Sequence, residues 1–167
     1  NDELGSANRR MRELITHFRA GMDSQGLHRA LEQMADTFYE RTGVALEFDC
    51  RIPQLRLPAE VEVQTFHILQ EALANVRRHS GARRAWLRVE REGPDVVFSV
   101  HDDGRGFARP APASRRAART SFGLEIMRER AQAIGARVAF DNPPAGGARV
   151  VVRVPAGDPP AGEVHHG

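Results

Sequence analysis

Two runs that alternate with period two, Ala85 to Glu90 and Val96 to His101, are joined through Glu92-Gly93-Pro94-Asp95, a cluster of turn formers. A connection that short fits an antiparallel hairpin, because parallel neighbours need a crossover of a dozen or more residues. Any fold for this chain has to be built around that hairpin. Three further stretches read as strands. Val44 to Cys50 alternates Val, Leu and Phe with Ala, Glu and Asp, and Arg137 to Phe140 and Ala148 to Val154 flank the turn Pro143-Pro144-Ala145-Gly146-Gly147.

Between the strands the apolar period changes to that of a helix. Leu27, Ala30, Leu31, Met34 and Phe38 form one stripe over Leu27 to Arg41, and Gly43 is placed to stop it. After Pro58 a second helix carries Val63, Phe66, Leu69, Leu73 and Val76 inward as far as His79, where Ser80-Gly81 ends it. Gly123 is expected to open a third, with Leu124, Met127, Ala131 and Ile134 inside. Upstream, Met11, Leu14, Ile15 and Phe18 mark a linker helix over Ser6 to Met22, broken by Gly21 to Gly26. Helices and strands in this order predict an α+β fold: a two-layer α/β sandwich with helices on one face of a mixed, mostly antiparallel sheet, preceded by a helical linker.

With 167 residues, the chain has room for one core of ordinary domain size and an appendage. Twenty-four basic against 22 acidic residues leave a formal charge of +2, too small an imbalance to argue for a nucleic-acid partner. Cys50 is the only cysteine, so no internal disulfide exists, and its place at the end of an apolar run fits packing. No apolar stretch approaches the roughly 20 residues that cross a bilayer. No membrane contact is expected of this piece, and cytoplasmic exposure is the expectation.

Four stretches carry candidate chemistry. On the second helix His67, Glu71, Asn75 and Arg78 fall at four-, four- and three-residue steps and so form a polar stripe beside the apolar one. A carboxylate and an amide oxygen one turn apart suit a hard cation such as Mg²⁺; a solvated helix face would look the same. Asp102-Asp103-Gly104-Arg105-Gly106-Phe107 follows a strand directly. Its glycines let the backbone turn and approach a flat ligand, and an aspartate at the strand end can accept from an exocyclic amine such as that of adenine. The plain alternative is a surface turn. Ala108 to Thr120, rich in Pro, Ala, Ser and Arg, reads as a mobile loop, and at Ser121-Phe122-Gly123-Leu124 free N–H groups of a helix start could receive phosphate oxygens; a loop that simply ends at a helix fits that motif equally well. Gly146-Gly147 reads most simply as a hairpin turn. A Glu-x-x-x-Asn helix, a strand ending in Asp-x-Gly-x-Gly, a loose loop and a Gly-Leu helix follow one another in this order, an agreement that chance does not readily produce.

That order and those residues resemble the ATPase domain shared by DNA gyrase, a heat-shock chaperone class, histidine kinases and mismatch-repair proteins, the Bergerat fold, from about Leu57 to Pro155. Within it, Leu69-Gln70-Glu71-Ala72-Leu73-Ala74-Asn75-Val76-Arg77-Arg78-His79-Ser80 and Phe122-Gly123-Leu124-Glu125-Ile126-Met127-Arg128-Glu129-Arg130-Ala131 resemble nitrate/nitrite sensor kinases of the NarX/NarQ type. Arg12 to Arg19 resembles the end of the dimerisation helix and linker of the same sensors. The resemblance implies three parts: residues 1–26 as the remnant of that helix and linker, 27–155 as the ATP-binding catalytic domain, and 156–167 as a disordered tail.

It also implies roles. Asn75 would coordinate Mg²⁺, with Glu71 supporting the metal-bound water or the phosphate geometry, and these two would be the catalytic pair. Asp102 would bind the adenine amine, with Gly104 and Gly106 shaping its pocket. Gly123 and Leu124 would meet the phosphates of ATP, with Arg78 and His79 on the phosphate side, and Ala108 to Thr120 would be the lid, its Arg115, Arg116 and Arg119 facing phosphates or solvent. Ala148 departs from a threonine usual in the family, and Asp103 from an asparagine. The phosphoacceptor histidine has no match, since His17 is followed by Phe18 and His165 and His166 belong to the tail. The implied partners are therefore a phosphoacceptor helix of the parent kinase, a response regulator, and a second copy in the full-length sensor, which would sit in the inner membrane; the piece alone would not phosphorylate itself. The reading from another class is a non-catalytic binding module of the same fold.

Overall fold

The computed structural model describes residues 26–79, 81–107 and 115–157. The expected linker helix, His17, the first part of the lid and the tail with His165 and His166 lie outside them. In chain order the elements are α1 (Gly26–Thr42), β1 (Ala45–Cys50), α2 (Ala59–His79), β2 (Arg84–Glu92), β3 (Asp95–Asp102), α3 (Arg115–Ala133), β4 (Arg137–Asp141) and β5 (Arg149–Pro155).

The hairpin forms as expected, tightened to a two-residue turn at Gly93-Pro94 in which Gly93 takes φ +58°. Register runs from Glu92 opposite Asp95 to Ala85 opposite Asp102. The sheet order is β1-β2-β3-β5-β4. Only the β1–β2 pair is parallel; the others are antiparallel, so the sheet is mixed as the sequence predicts.

Alternation decides which face the helices cover. Ala85, Leu87 and Val89 of β2, Val96, Phe98 and Val100 of β3, and Val150, Val152 and Val154 of β5 are all buried. The register sets Leu87 opposite Val100 and Phe98 opposite Val152, which makes one continuous apolar layer. Against it lie Leu27, Leu31 and Phe38 of α1, Ile68, Leu69, Ala72, Leu73 and Val76 of α2, and Met127 and Ala131 of α3. Ile68 and Ala72 widen the α2 stripe beyond the predicted one, because α2 packs on α1, α3 and β3 together. Burying one such side chain contributes about 1.5–3 kcal/mol. Phe66, Met34 and Leu124, expected inside, are half-buried.

Helix ends follow the glycines in α1: Gly43 adopts φ +74° and its N–H donates to the Tyr39 carbonyl at 2.7 Å. At α3 the sequence reading needs correction. Gly123 does not open that helix, which begins at Arg115, so the expected loop is helical from Arg115 to its end at Thr120. Arg115, Arg116, Ala117, Ala118 and Arg119 are strong helix formers, and a glycine inside a helix costs only about 1 kcal/mol. That is too little to stop a helix whose flanks favour it.

Candidate functional site

The polar residues of α2 share one stripe, sheltered at Asn75 and partly at His67 and Glu71 but solvated at Arg78. Asn75 is 8% exposed and Glu71 half-buried, while Arg78, one turn further on, is exposed. His79 closes the helix; its side chain lies outside the described set. Gly123 of α3 comes against this stripe so closely that a Cβ there would stand 2.7 Å from Glu71 Oε1 and 3.6 Å from Asn75 Oδ1. The glycine is what lets α3 approach the carboxylate. Its own N–H lies inside the helix, so the free helix start expected here, with phosphate oxygens received by its N–H groups, is not found at Gly123.

The amide of Asn75 carries a further mark. Its Nδ2 is buried and has no hydrogen-bond partner among the described residues. A buried amide group left unpaired costs about 1–3 kcal/mol, a cost that a ligand can remove. As an N–H it would donate to a phosphate oxygen; with the amide turned over, the oxygen would face outward and suit a cation, since which end is which is assigned from partners. Among the described residues no group of three or more His, Cys, Asp or Glu is placed to hold a metal ion. A Mg²⁺ here would therefore take Asn75 and Glu71 as oxygen donors and complete its shell with phosphate oxygens and water, which its chemistry permits.

One turn and two turns before Glu71, the same stripe bears His67 and Gln64. Arg130 of α3 donates to Gln64 Oε1 at 3.0 Å. Burial, and then the charge of Arg130, hold the His67 imidazole below its ordinary 6.5, against a contribution from Gln70.

The second cluster is the loop that leaves β3. Asp102 is 3% exposed, and burial pushes its carboxyl above the ordinary 3.8, partly offset by hydrogen bonds from Gly104 and at Ala148. Its Oδ1 accepts from Gly104 N at 2.8 Å, and its N–H donates to the Ala148 carbonyl at 3.0 Å. Asp103 points the other way. Its Oδ1 accepts from Arg83 N at 2.9 Å and Arg84 N at 3.0 Å, stapling the loop to the start of β2 and holding its carboxyl below the usual range.

Glycine matters at two positions. Gly106, at φ +80°, leaves space that Asn142 Oδ1 fills, 2.8 Å from where a Cβ would stand. Gly147, at φ +78°, is pressed so hard on Asp102 that a Cβ would overlap its carbonyl. The sequence reading gave Gly146-Gly147 no more than a turn and did not single out Asn142. A glycine pair just before a strand does signal close backbone approach; nothing in the sequence marks Asn142.

The two clusters meet through α3 and the end of α2. Gly123 touches Glu71, and its neighbour Leu124 lines a pocket of about 310 Å³ with Phe107, Arg128, Phe140 and Asn142. From the loop, Arg105 reaches Gly81, just past α2, with Nε 3.6 Å from its Cβ position. The arrangement thus sets three groups around one end of the sheet: the Glu71 carboxylate, the Asn75 amide and the buried Asp102 carboxylate.

Comparison with known proteins decides the family. Residues 60–158 match the family described as histidine kinase-, DNA gyrase B-, and HSP90-like ATPase. This chain belongs to that family. Nitrate/nitrite sensor protein NarQ of Escherichia coli is 34% identical over 89% of the chain, which spans 26% of that protein. Sensor histidine kinase LiaS of Bacillus subtilis is 31% identical over 90% of the chain and 40% of its own length. The chain therefore spans about a quarter to two fifths of these relatives. Among solved structures, the histidine kinase domain of the Erythrobacter litoralis EL346 blue-light activated histidine kinase shares the fold, with a TM-score of 0.63 at 21% identity over 78% of this chain and 61% of that one. The structure of ShkA in complex with AMPPNP gives 0.59 at 22% identity, over 80% of this chain and 30% of that one. The fold is that of a histidine-kinase ATPase domain, as the resemblance implied, and no helix among the described residues is long and apolar enough to cross a membrane.

Proposed function

We propose that this domain binds Mg²⁺-ATP between α2 and the glycine loop and presents the γ-phosphoryl group to a histidine on a dimerisation helix of its parent sensor kinase. The observation that carries this is the buried amide of Asn75, unpaired among the described residues, beside Glu71 and facing a glycine of α3. Asp102 accepts from the adenine amine, with Gly104 holding its carboxylate through the backbone N–H and Gly106 shaping the pocket by letting Asn142 and Gly147 close on the loop. Gly123 lets α3 pack directly on Glu71, so that it and Leu124 border the phosphates beside that carboxylate, with Arg78 and His79 at the phosphate end of the stripe. Bound Mg²⁺ supplies neutralisation of phosphate charge. In the transfer the γ-phosphorus leaves the bridging oxygen of ATP for an imidazole nitrogen, releasing ADP. Positioning and charge carry most of such a reaction.

The likeness to NarQ, and to NarX at 30% identity, supports a parent of the nitrate/nitrite-sensor type, dimeric, held in the inner membrane with this domain in the cytoplasm, that passes the phosphoryl group to a response regulator. Ala148 supports a second reading, a domain of the same fold that holds nucleotide weakly and serves docking, because it offers no side-chain oxygen beside Asp102. Titration of the chain with ATP and Mg²⁺ decides between them. Saturable binding that is lost in Asp102→Asn is the result expected; no saturable binding by the native chain would refute the kinase reading.

A further inference from the structure

We infer that Asn142 is a positioning residue for nucleotide, acting by clamping the far end of the glycine loop; the inference rests on the ATP-site reading above. Asn142 is the first residue after β4, on the connection to β5. Its Oδ1 accepts from Phe107 N at 2.7 Å and its Nδ2 donates to the Phe107 carbonyl at 3.0 Å. Both ends of one amide are thus spent on the backbone of one residue, which imitates a rung of a β-ladder with a side chain. The same Oδ1 fills the space that the missing Cβ of Gly106 leaves.

The other end of the loop is held by the same connection. Ala148 accepts from Asp102 N, and Gly147 lies on the Asp102 carbonyl. The segment from Asn142 to Ala148 therefore grips both Asp102 and Phe107, the first and last residues of the Asp-Asp-Gly-Arg-Gly-Phe motif. Beyond the clamp, the Phe107 ring meets Phe140 edge-on at 6.0 Å, and the Arg128 guanidinium lies 5.1 Å from the centre of the Phe140 ring. Loop, β4 and α3 are fixed to one another at that point. A loop tied at both ends presents Asp102 and its glycines already ordered, so a ligand is spared the ordering cost; untied at Phe107, it is not.

The test uses the full chain and its Asn142→Ala variant, with a fluorescent ATP analogue displaced by ATP in excess Mg²⁺. Affinity should fall by about tenfold, the loss expected when roughly one net hydrogen bond of ordering is removed. The urea midpoint should stay close to the native one. Amide hydrogen exchange should quicken at Phe107 and Gly106 while Val96 to Val100 keep their protection. Native affinity in Asn142→Ala, or unchanged exchange at Phe107, would overturn the inference while leaving the ATP reading intact, provided that Asp102→Asn still abolishes binding. If the native chain binds no nucleotide, both fall, and the exchange data alone report whether the clamp exists.

Discussion

Replacing Gly147 with alanine should damage this domain more than the same change at any turn glycine that has open space around it. Two costs add at Gly147. At φ +78° a residue with a Cβ sits in the left-handed region, at about 1–2 kcal/mol. The added carbon also overlaps the Asp102 carbonyl, with the Asp103 Cα 3.3 Å away, so the turn or the loop must shift. Forced shifts in packed surroundings cost about 1–3 kcal/mol. The sum is about 2–5 kcal/mol. Gly135 is the control: it has φ +67° and nothing within 4 Å of a Cβ, so Gly135→Ala carries only the first cost. With a urea dependence of about 2 kcal/mol per molar, Gly147→Ala should lower the unfolding midpoint by about 1–2.5 M and Gly135→Ala by about 0.5–1 M. Nucleotide affinity, measured in the fully folded range, should fall only in Gly147→Ala, since only there does Asp102 move. Equal midpoints for the two variants would refute the claim that the turn and Asp102 are in obligate contact.

Three further outcomes are expected. Asp102→Asn should be at least as stable as the native chain at pH 7. The carboxyl has a folded-state value raised above 3.8, so it binds protons more readily when folded and stability falls as pH rises through that window; the difference in urea midpoint should accordingly close on acidification towards pH 4. His67 shows the opposite sign. Its value is lowered from 6.5, so the unfolded chain binds the extra proton and stability is lost as pH drops from 6.5 through the folded-state value; thermal melts of His67→Gln should show a weaker dependence over that range. Ala148→Thr should tighten nucleotide binding by a few-fold in the same titration, because it places a hydroxyl beside Asp102 and leaves in place the backbone carbonyl that already pairs with Asp102; unchanged affinity would remove Ala148 as support for a weak binder.

Much of the architecture was legible because it is carried by local pattern. The hairpin of β2 and β3 follows from alternation and a glycine-proline turn, and α1 ends where Gly43 permits a left-handed residue. The stripe of Glu71 and Asn75 could be placed on one face of α2 from spacing alone. What spacing could not supply was the identity of the facing surface. Ile68 and Ala72 are buried because three elements converge on α2, and a periodicity count on one helix sees only its own stripe. The start of α3 was missed for a different reason. Pro, Ala, Ser and Arg between 108 and 120 were taken together as a loop, although Arg115 to Arg119 favour a helix on their own and Gly123 is too weak a breaker to overrule them.

The site divides along the same line. Asp102, Gly104 and Gly106 stand out as candidates because they fall within six consecutive residues. Asn142 and Gly147 do not, because their importance lies in what stands opposite: an asparagine after a strand becomes a clamp only when Phe107 is across from it, and a glycine in a turn becomes irreplaceable only when the Asp102 carbonyl fills its missing side chain. A loop that is to take a flat ligand, as proposed for this one, must be both turned and held. The turn is written in its own glycines, whereas the hold is supplied by the connection between β4 and β5, which closes on Gly106 and Asp102. Substitutions at Asn142 and Gly147 should therefore behave as site mutations although neither residue contributes an atom to the proposed adenine contact.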